Sequence, residues 1–153
     1  MKLPKIQKVV ISQGIGKLLQ DKKYQKECFT FLEKICGQRP LVTYAKKSIA
    51  GFKLRQGWPV GFKVTLRRER MYFFIEKFIY AILPKIRNFR GLKTQSFDNN
   101  YNYNVGLKDI NVFPELITEY KTLNGLNINF VIVSQSKSHA DLLLSFLNFP
   151  FLK

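Results

Sequence analysis

The chain's 153 residues, 46% apolar and 14% aromatic, can bury one core of their own and are too few for two large ones. Its 26 Lys and Arg against 10 Asp and Glu leave a net charge of +16, about twice the upper end of the roughly 2–8 usual for a small domain. That excess points to a polyanionic partner, while two Cys and one His exclude a four-ligand Cys/His zinc site within one chain.

Residues 5–12 are rich in β-branched side chains and bounded by Pro4 and the Gly14/Gly16 pair, which predicts a strand. Cys28, Phe31, Leu32 and Ile35 then recur at helical spacing, with Gly37 as the stop. Residues 41–45 read as a second strand. Lys46 to Gly61 is a basic stretch holding Gly51, Gly57 and Pro59, expected to be a long loop with its tip near Trp58. In 62–67, Phe62, Val64 and Leu66 alternate with Lys63, Thr65 and Arg67, so this strand offers a basic, hydrogen-bonding face opposite a buried one. Met71, Phe74, Ile75, Phe78, Ile79 and Ile82 mark a second helix ending before Pro84. Tyr101, Tyr103, Val105 and Leu107 alternate with polar residues, as do Ile128, Phe130 and Ile132, giving two more strands. Ser138 and Asp141 resemble a capping box opening a last helix with Ala140, Leu143, Leu144 and Leu147 inward. The order β-α-β-β-α-β-β-α implies a single α+β domain, a mainly antiparallel sheet with helices packed on one face and a long basic loop between two strands.

Charge is concentrated in the middle: residues 34–93 carry 15 basic and 2 acidic groups, residues 94–153 only 4 and 5. Nucleic acid is the leading partner class, because phosphates supply the densest anionic array, and an anionic membrane surface is the second. The longest uncharged run, Thr122 to Ser136, has 15 residues and three Asn, short of the roughly 18 apolar residues that span a bilayer, so no membrane span is expected. Gly14-Ile15-Gly16-Lys17 lacks the other residues of a phosphate loop, since Ile11 and Leu18 stand where Gly and Ser/Thr are needed, and reads as a plain turn. His139 and Ser134-Gln135-Ser136-Lys137 read as surface polar residues. Cys28 reads as a core filler and Cys36 as inert, both free thiols of a reduced compartment. Nothing assembles a catalytic constellation, and no cofactor or metal is expected. Trp58 reads as an exposed aromatic that packs on a partner. Strand-like sequence by Lys5 leaves no room for a signal or transit peptide, so the expectation is that none is needed or that it has been removed. Phe, Tyr, Met, Ile, Asn and Lys, with AT-rich codons, total 65 against 26 for Gly, Ala, Arg and Pro, a bias expected of an AT-rich genome such as an organelle's.

Gly37-Gln38-Arg39-Pro40, Ala45 to Arg55, Gly57-Trp58-Pro59-Val60-Gly61, Lys63-Val64-Thr65-Leu66-Arg67, Asn88-Phe89-Arg90-Gly91-Leu92, Phe113-Pro114-Glu115 and Phe149-Pro150-Phe151 together resemble the universal large-subunit ribosomal protein family that binds 5S rRNA, L-five in bacterial nomenclature. The resemblance covers nearly all of residues 1–153 and implies a non-enzymatic rRNA-binding domain of the central protuberance. It implies contact with 5S rRNA and large-subunit rRNA, with neighbouring central-protuberance proteins, with peptidyl-site tRNA through the 46–61 loop, and with a small-subunit head protein. Carried over by position, the polar 5S contacts fall on Ser12, Gln38 and Thr65, with Lys46, Lys47, Lys63 and Arg67 as rRNA-binding cations and Lys53, Arg55, Gly57, Trp58 and Pro59 facing the tRNA. Three departures stand out. The family usually has Asn where Ser12 stands, its helix before the first strand is missing, and Asn99-Asn100-Tyr101 and Leu116–Thr122 differ from bacterial relatives. With the codon bias, the expectation is a mitochondrial ribosome, with a plastid or an AT-rich bacterial cytoplasm as the alternatives. The rival functions are a peripheral membrane-binding domain, an RNA-binding module outside the ribosome and an RNA-modifying enzyme.

Overall fold

The computed structural model describes residues 3–15, 21–115 and 125–152. Five strands form one sheet: β1 (Lys5–Gly14), β2 (Leu41–Tyr44), β3 (Pro59–Leu66), β4 (Tyr103–Leu107) and β5 (Leu126–Val133). Their spatial order is β2-β3-β1-β5-β4, every neighbouring pair is antiparallel, and the first strand made is the central one. Among the described residues three α-helices, α1 (Lys22–Cys36), α2 (Arg68–Lys77) and α3 (Lys137–Phe146), accompany the sheet in an α+β fold.

The sheet is two-sided in the way its alternation predicts. Val9, Ile11, Val64, Leu66, Ile128, Phe130 and Tyr103 are buried on one face with the helix stripes Cys28, Phe31, Leu32, Ile35 and Met71, Phe74, Ile75, Phe78. The other face stays half exposed, because no helix among the described residues covers it. A one-residue shift in any strand would turn its apolar set to solvent, so burial specifies the register strongly.

Helix ends follow local chemistry. Asp21 caps α1 by accepting from the Lys23 N–H at 2.9 Å and the Tyr24 N–H at 3.3 Å. Gly37 closes it in the left-handed conformation, φ 59°, its N–H donating to the Glu33 carbonyl. The predicted stripe through Ile82 lies on one continuous winding of three kinds: after Lys77 the α-helix widens into a π turn over Phe78–Ile82, then tightens into a 3-10 turn over Leu83–Lys85. Pro84 explains the change, since it cannot donate and its ring clashes with the carbonyl four residues back.

Several boundaries correct the sequence reading. β1 runs on to Gly14, β2 stops at Tyr44, β3 begins at Pro59, and β4 begins at Tyr103 because Asp98 holds Asn100 and Asn102 in a turn, φ 63° at Tyr101. The cap of α3 is Ser136, not Ser138: its Oγ accepts from the His139 N–H at 3.4 Å, which leaves Asp141 too far along the helix to close a box. Ala140 and Leu144 are buried as expected, Leu143 and Leu147 only partly. Of the Gly14-Ile15-Gly16-Lys17 string, Ile15 is buried with its N–H on the Val60 carbonyl at 2.9 Å, and Gly16-Lys17 lie outside the described residues, as does the Leu116–Thr122 departure.

The tail is part of the core. Phe149 is 5% exposed, and its ring lies 5.2 Å from Phe130 and 6.2 Å from Phe78, centroid to centroid. Beyond it the chain is clamped by the Leu92 N–H on the Pro150 carbonyl at 2.7 Å and the Leu152 N–H on the Leu92 carbonyl at 2.9 Å. Gly91 makes this approach possible, since with φ 123° a side chain is strained there and its Cβ would fall 2.9 Å from the Leu152 nitrogen.

Candidate nucleic-acid interface

On the open face the strand registers line residues up in rows across the sheet. One row runs Leu41, Lys63, Ser12, Asn127, Gly106, from β2 to β4. The next runs Thr65, Val10, Asn129, Asn104. Ser12 and Thr65 are thus neighbours on adjacent strands, one row apart, roughly 7 Å along the strand direction. Gln38, in the turn after α1, reaches the same corner, where its Nε2 donates to the Thr65 carbonyl at 3.3 Å. Lys63 and Arg67 are exposed beside them. The three polar residues that the resemblance implied therefore share one patch with two of the four implied cations.

The other two, Lys46 and Lys47, stand exposed where the chain leaves the sheet. Residues 45–58 are not an open loop but an arm that prolongs the β2–β3 hairpin. Ala45 and Trp58 pair at its base, 2.8 Å from the Ala45 N–H to the Trp58 carbonyl, and Ile49 and Leu54 pair near its end, at 2.9 and 3.1 Å. The Ser48 hydroxyl braces the middle by accepting from the Gln56 N–H at 2.9 Å.

The tip is consequently the 3-10 turn Ala50–Phe52 with Lys53, φ 52°, and not Trp58. Trp58 is half-buried at the base, with the Arg55 guanidinium 5.8 Å from its ring centroid. Gly57 takes φ 81° beside it, and Pro59 opens β3. The aromatic that stands out is Phe52, 77% exposed, which the sequence reading passed over. A signal for it was present: the loop expected from 46 to 61 has its midpoint near 53, beside Phe52.

Charge on this side is largely uncompensated. Among the described residues no carboxylate pairs with Lys46, Lys47, Lys53, Lys63, Arg67 or Arg68, whereas Lys77, on the helix side, pairs with Glu115. Arg68 adds a backbone peculiarity, φ 53° at the start of α2, where Arg67 alone separates the helix from β3. A non-glycine residue in that region costs about 1–2 kcal/mol. Both thiols are far from this face and in the core: burial pushes Cys28 up to about 11 and Cys36 up to about 12. No helix among the described residues is long and apolar enough to cross a membrane.

An arm and an open face rich in cations, amides and hydroxyls, on a sheet whose other face is packed into the core, have the chemistry of a protein that binds polyanions. Its relatives say which kind. Residues 1–55 match the family described as Ribosomal protein L5, and residues 59–151 match the C-terminus of that same ribosomal family. The large ribosomal subunit protein uL5 of Alkalilimnicola ehrlichii is 43% identical over 154 residues, covering 100% of this chain and 86% of that protein. The uL5 proteins of Neisseria meningitidis and Neisseria gonorrhoeae are each 44% identical over 152 residues, 99% of this chain and 85% of theirs. The chain belongs to the ribosomal protein L5 family: it is a structural ribosomal protein and not an enzyme. The boundary between the two matched segments, 55 to 59, falls on the returning limb of the arm, so both segments share one sheet.

Proposed function

We propose that the chain is a structural constituent of a large ribosomal subunit that binds 5S rRNA on its open sheet face and adjoining large-subunit rRNA through its cations. The observation that carries this reading is the convergence of Ser12, Gln38 and Thr65 beside Lys63 and Arg67 on the sheet face that no helix among the described residues covers. Hydroxyls and an amide supply directional hydrogen bonds, and the flanking cations neutralise phosphates. The domain sits in the central protuberance, against neighbouring proteins there and a protein of the small-subunit head. Its arm, tipped by Phe52 and Lys53, points toward peptidyl-site tRNA. The ribosome is organellar, mitochondrial by the AT-rich residue bias that the composition supports.

The test is binding of the full chain to a 5S rRNA transcript by filter retention, with charge reversal at Lys63 and Arg67 set against reversal at Lys137. The first pair abolishes binding at moderate salt and Lys137 changes it little. Equal effects would misplace the RNA face, and equal retention on phosphatidylserine vesicles would favour a membrane-surface function.

A further inference from the structure

The open face changes chemistry halfway across. Its β3 and β1 portion carries Lys63, Arg67 and Lys8, while the outward positions of β4 and β5 are Asn104, Gly106, Asn127, Asn129, Val131 and Val133, with no charge among them. Asn residues are poor strand formers, so three on one sheet face cost stability that apolar or β-branched residues would not.

Their hydrogen-bonding states differ from that of a purely structural amide. Asn102, just before β4, is fully engaged: its Nδ2 donates to Asp98 at 2.9 Å and its Oδ1 accepts from the Ile132 N–H at 3.2 Å. Asn129, by contrast, has one side-chain partner among the described residues, donating to the Asn104 Oδ1. That bond leaves the two N–H donors of Asn104 and the carbonyl oxygen of Asn129, both half-buried, without a side-chain partner among the described residues. One row away, Asn127 faces Gly106, which has no side chain. The result is a shallow depression of about 280 Å³ bounded by Ser12, Asn104, Gly106, Asn127 and Asn129.

A phosphate offers acceptors and charge and would be met by cations. Adjacent amide donors and acceptors in a neutral hollow complement the edge of a nucleobase instead. The volume lies just below the roughly 300–1,000 Å³ of drug-sized pockets, which suits one heterocycle. We infer that the β4–β5 half of the open face seats a single unpaired RNA base over Gly106, its edge read by Asn104, Asn127 and Asn129, while the cationic half holds the backbone beside it. The inference rests on the RNA-binding reading above and adds to it a site for base recognition.

Gly106→Val fills the hollow without removing an amide, and space for its Cβ exists, the nearest atom being the Asn127 Oδ1 at 3.6 Å. Asn127→Ala removes an amide without filling the hollow, and decides the matter if the valine variant unfolds early. Each is titrated against a 5S rRNA transcript at two salt concentrations, with Lys63→Ala as the control for backbone binding, and the complexes are probed with dimethyl sulfate. Both variants lose about tenfold in affinity, the order of one bidentate base contact, at an unchanged salt slope. One base protected at its Watson–Crick edge by the parent becomes reactive. If both variants bind as the parent does with the same protection while Lys63→Ala weakens binding, the base seat is wrong and the RNA-binding reading stands. If the parent itself retains the transcript no better than an uncharged protein of its size does, both fall.

Discussion

Cys36 closes α1 with its thiol buried against Lys77, and Cys28 lies two turns back in the same core stripe. Both keep their protons in the fold well above the ordinary 9.0, chiefly because burial disfavours the thiolate. The sign follows. Below about pH 9 neither state ionises and the thiols add no pH dependence; from about pH 9 to 11 the unfolded chain loses protons that the folded chain retains, so stability falls, by at most about 1.4 kcal/mol per pH unit per thiol. Urea unfolding at pH 8, 9.5 and 10.5 should show that decline, and the Cys28→Ala, Cys36→Ala double variant should flatten it. Tyr103, pushed up to about 12 by burial, contributes with the same sign to both proteins, so the difference isolates the thiols. At the open face the corresponding test is the hydroxyl of Thr65. Thr65→Val keeps the β-branched shape and should weaken 5S rRNA binding by about 0.5–1.5 kcal/mol, roughly two- to tenfold, without altering the salt slope. Ser12→Asn, which lengthens the side chain and adds donors, should strengthen it by a similar factor. Titrations that leave both variants at the parent's affinity would remove these two residues from the interface.

Among the elements, the arm separates two aromatics that composition alone treats alike. Trp58→Ala opens the half-buried base where Ala45 pairs, and should lower the melting temperature by several degrees, the response of a small domain to about 1 kcal/mol. Phe52→Ala, at the exposed tip, should leave it unchanged. Replacing Ala50–Lys53 by a two-residue turn should keep 5S rRNA affinity within about twofold while impairing peptidyl-site tRNA retention by assembled ribosomes, because the tip stands apart from the sheet rows. Asp21→Ala, which removes the cap of α1, should cost about 1 kcal/mol by chemical denaturation. These elements also show what a sequence makes legible. The alternation in Phe62 to Arg67 and the stripe from Cys28 to Ile35 carry their own periodicity, so strand face and helix face could be read directly, Thr65 included. Gln38 has no such pattern; only the family resemblance pointed to it, since its place beside Thr65 depends on a contact 27 residues away. The arm's tip was misplaced for a related reason: the Gly and Pro around Trp58 look like a turn, and what overrides them is the pairing of Ala45 with Trp58. The α3 cap was ambiguous because Ser136 and Ser138 both suit it locally, and their hydroxyls in fact lie 2.9 Å apart.

For the molecule as a whole, the divided open face predicts how affinity responds to salt. If roughly 5–8 phosphates are neutralised, log affinity against log salt should fall with a slope of about −4 to −7, at about −0.9 per contact. A slope near zero would remove the electrostatic basis of the interface. The clamped tail has a consequence of a different kind, in the order of synthesis. Phe149 and Phe151 follow every other core residue along the chain, and β1, the central strand, must wait for β5 to be made before both its edges are paired. At roughly 5–20 residues per second that wait is roughly 6–24 s, during which a growing chain exposes a strand edge and an unfinished aromatic cluster. The +16 charge then acts before any RNA is bound: neighbouring nascent chains repel one another, and the excess that equips the finished protein for a polyanion also keeps its half-made form from aggregating.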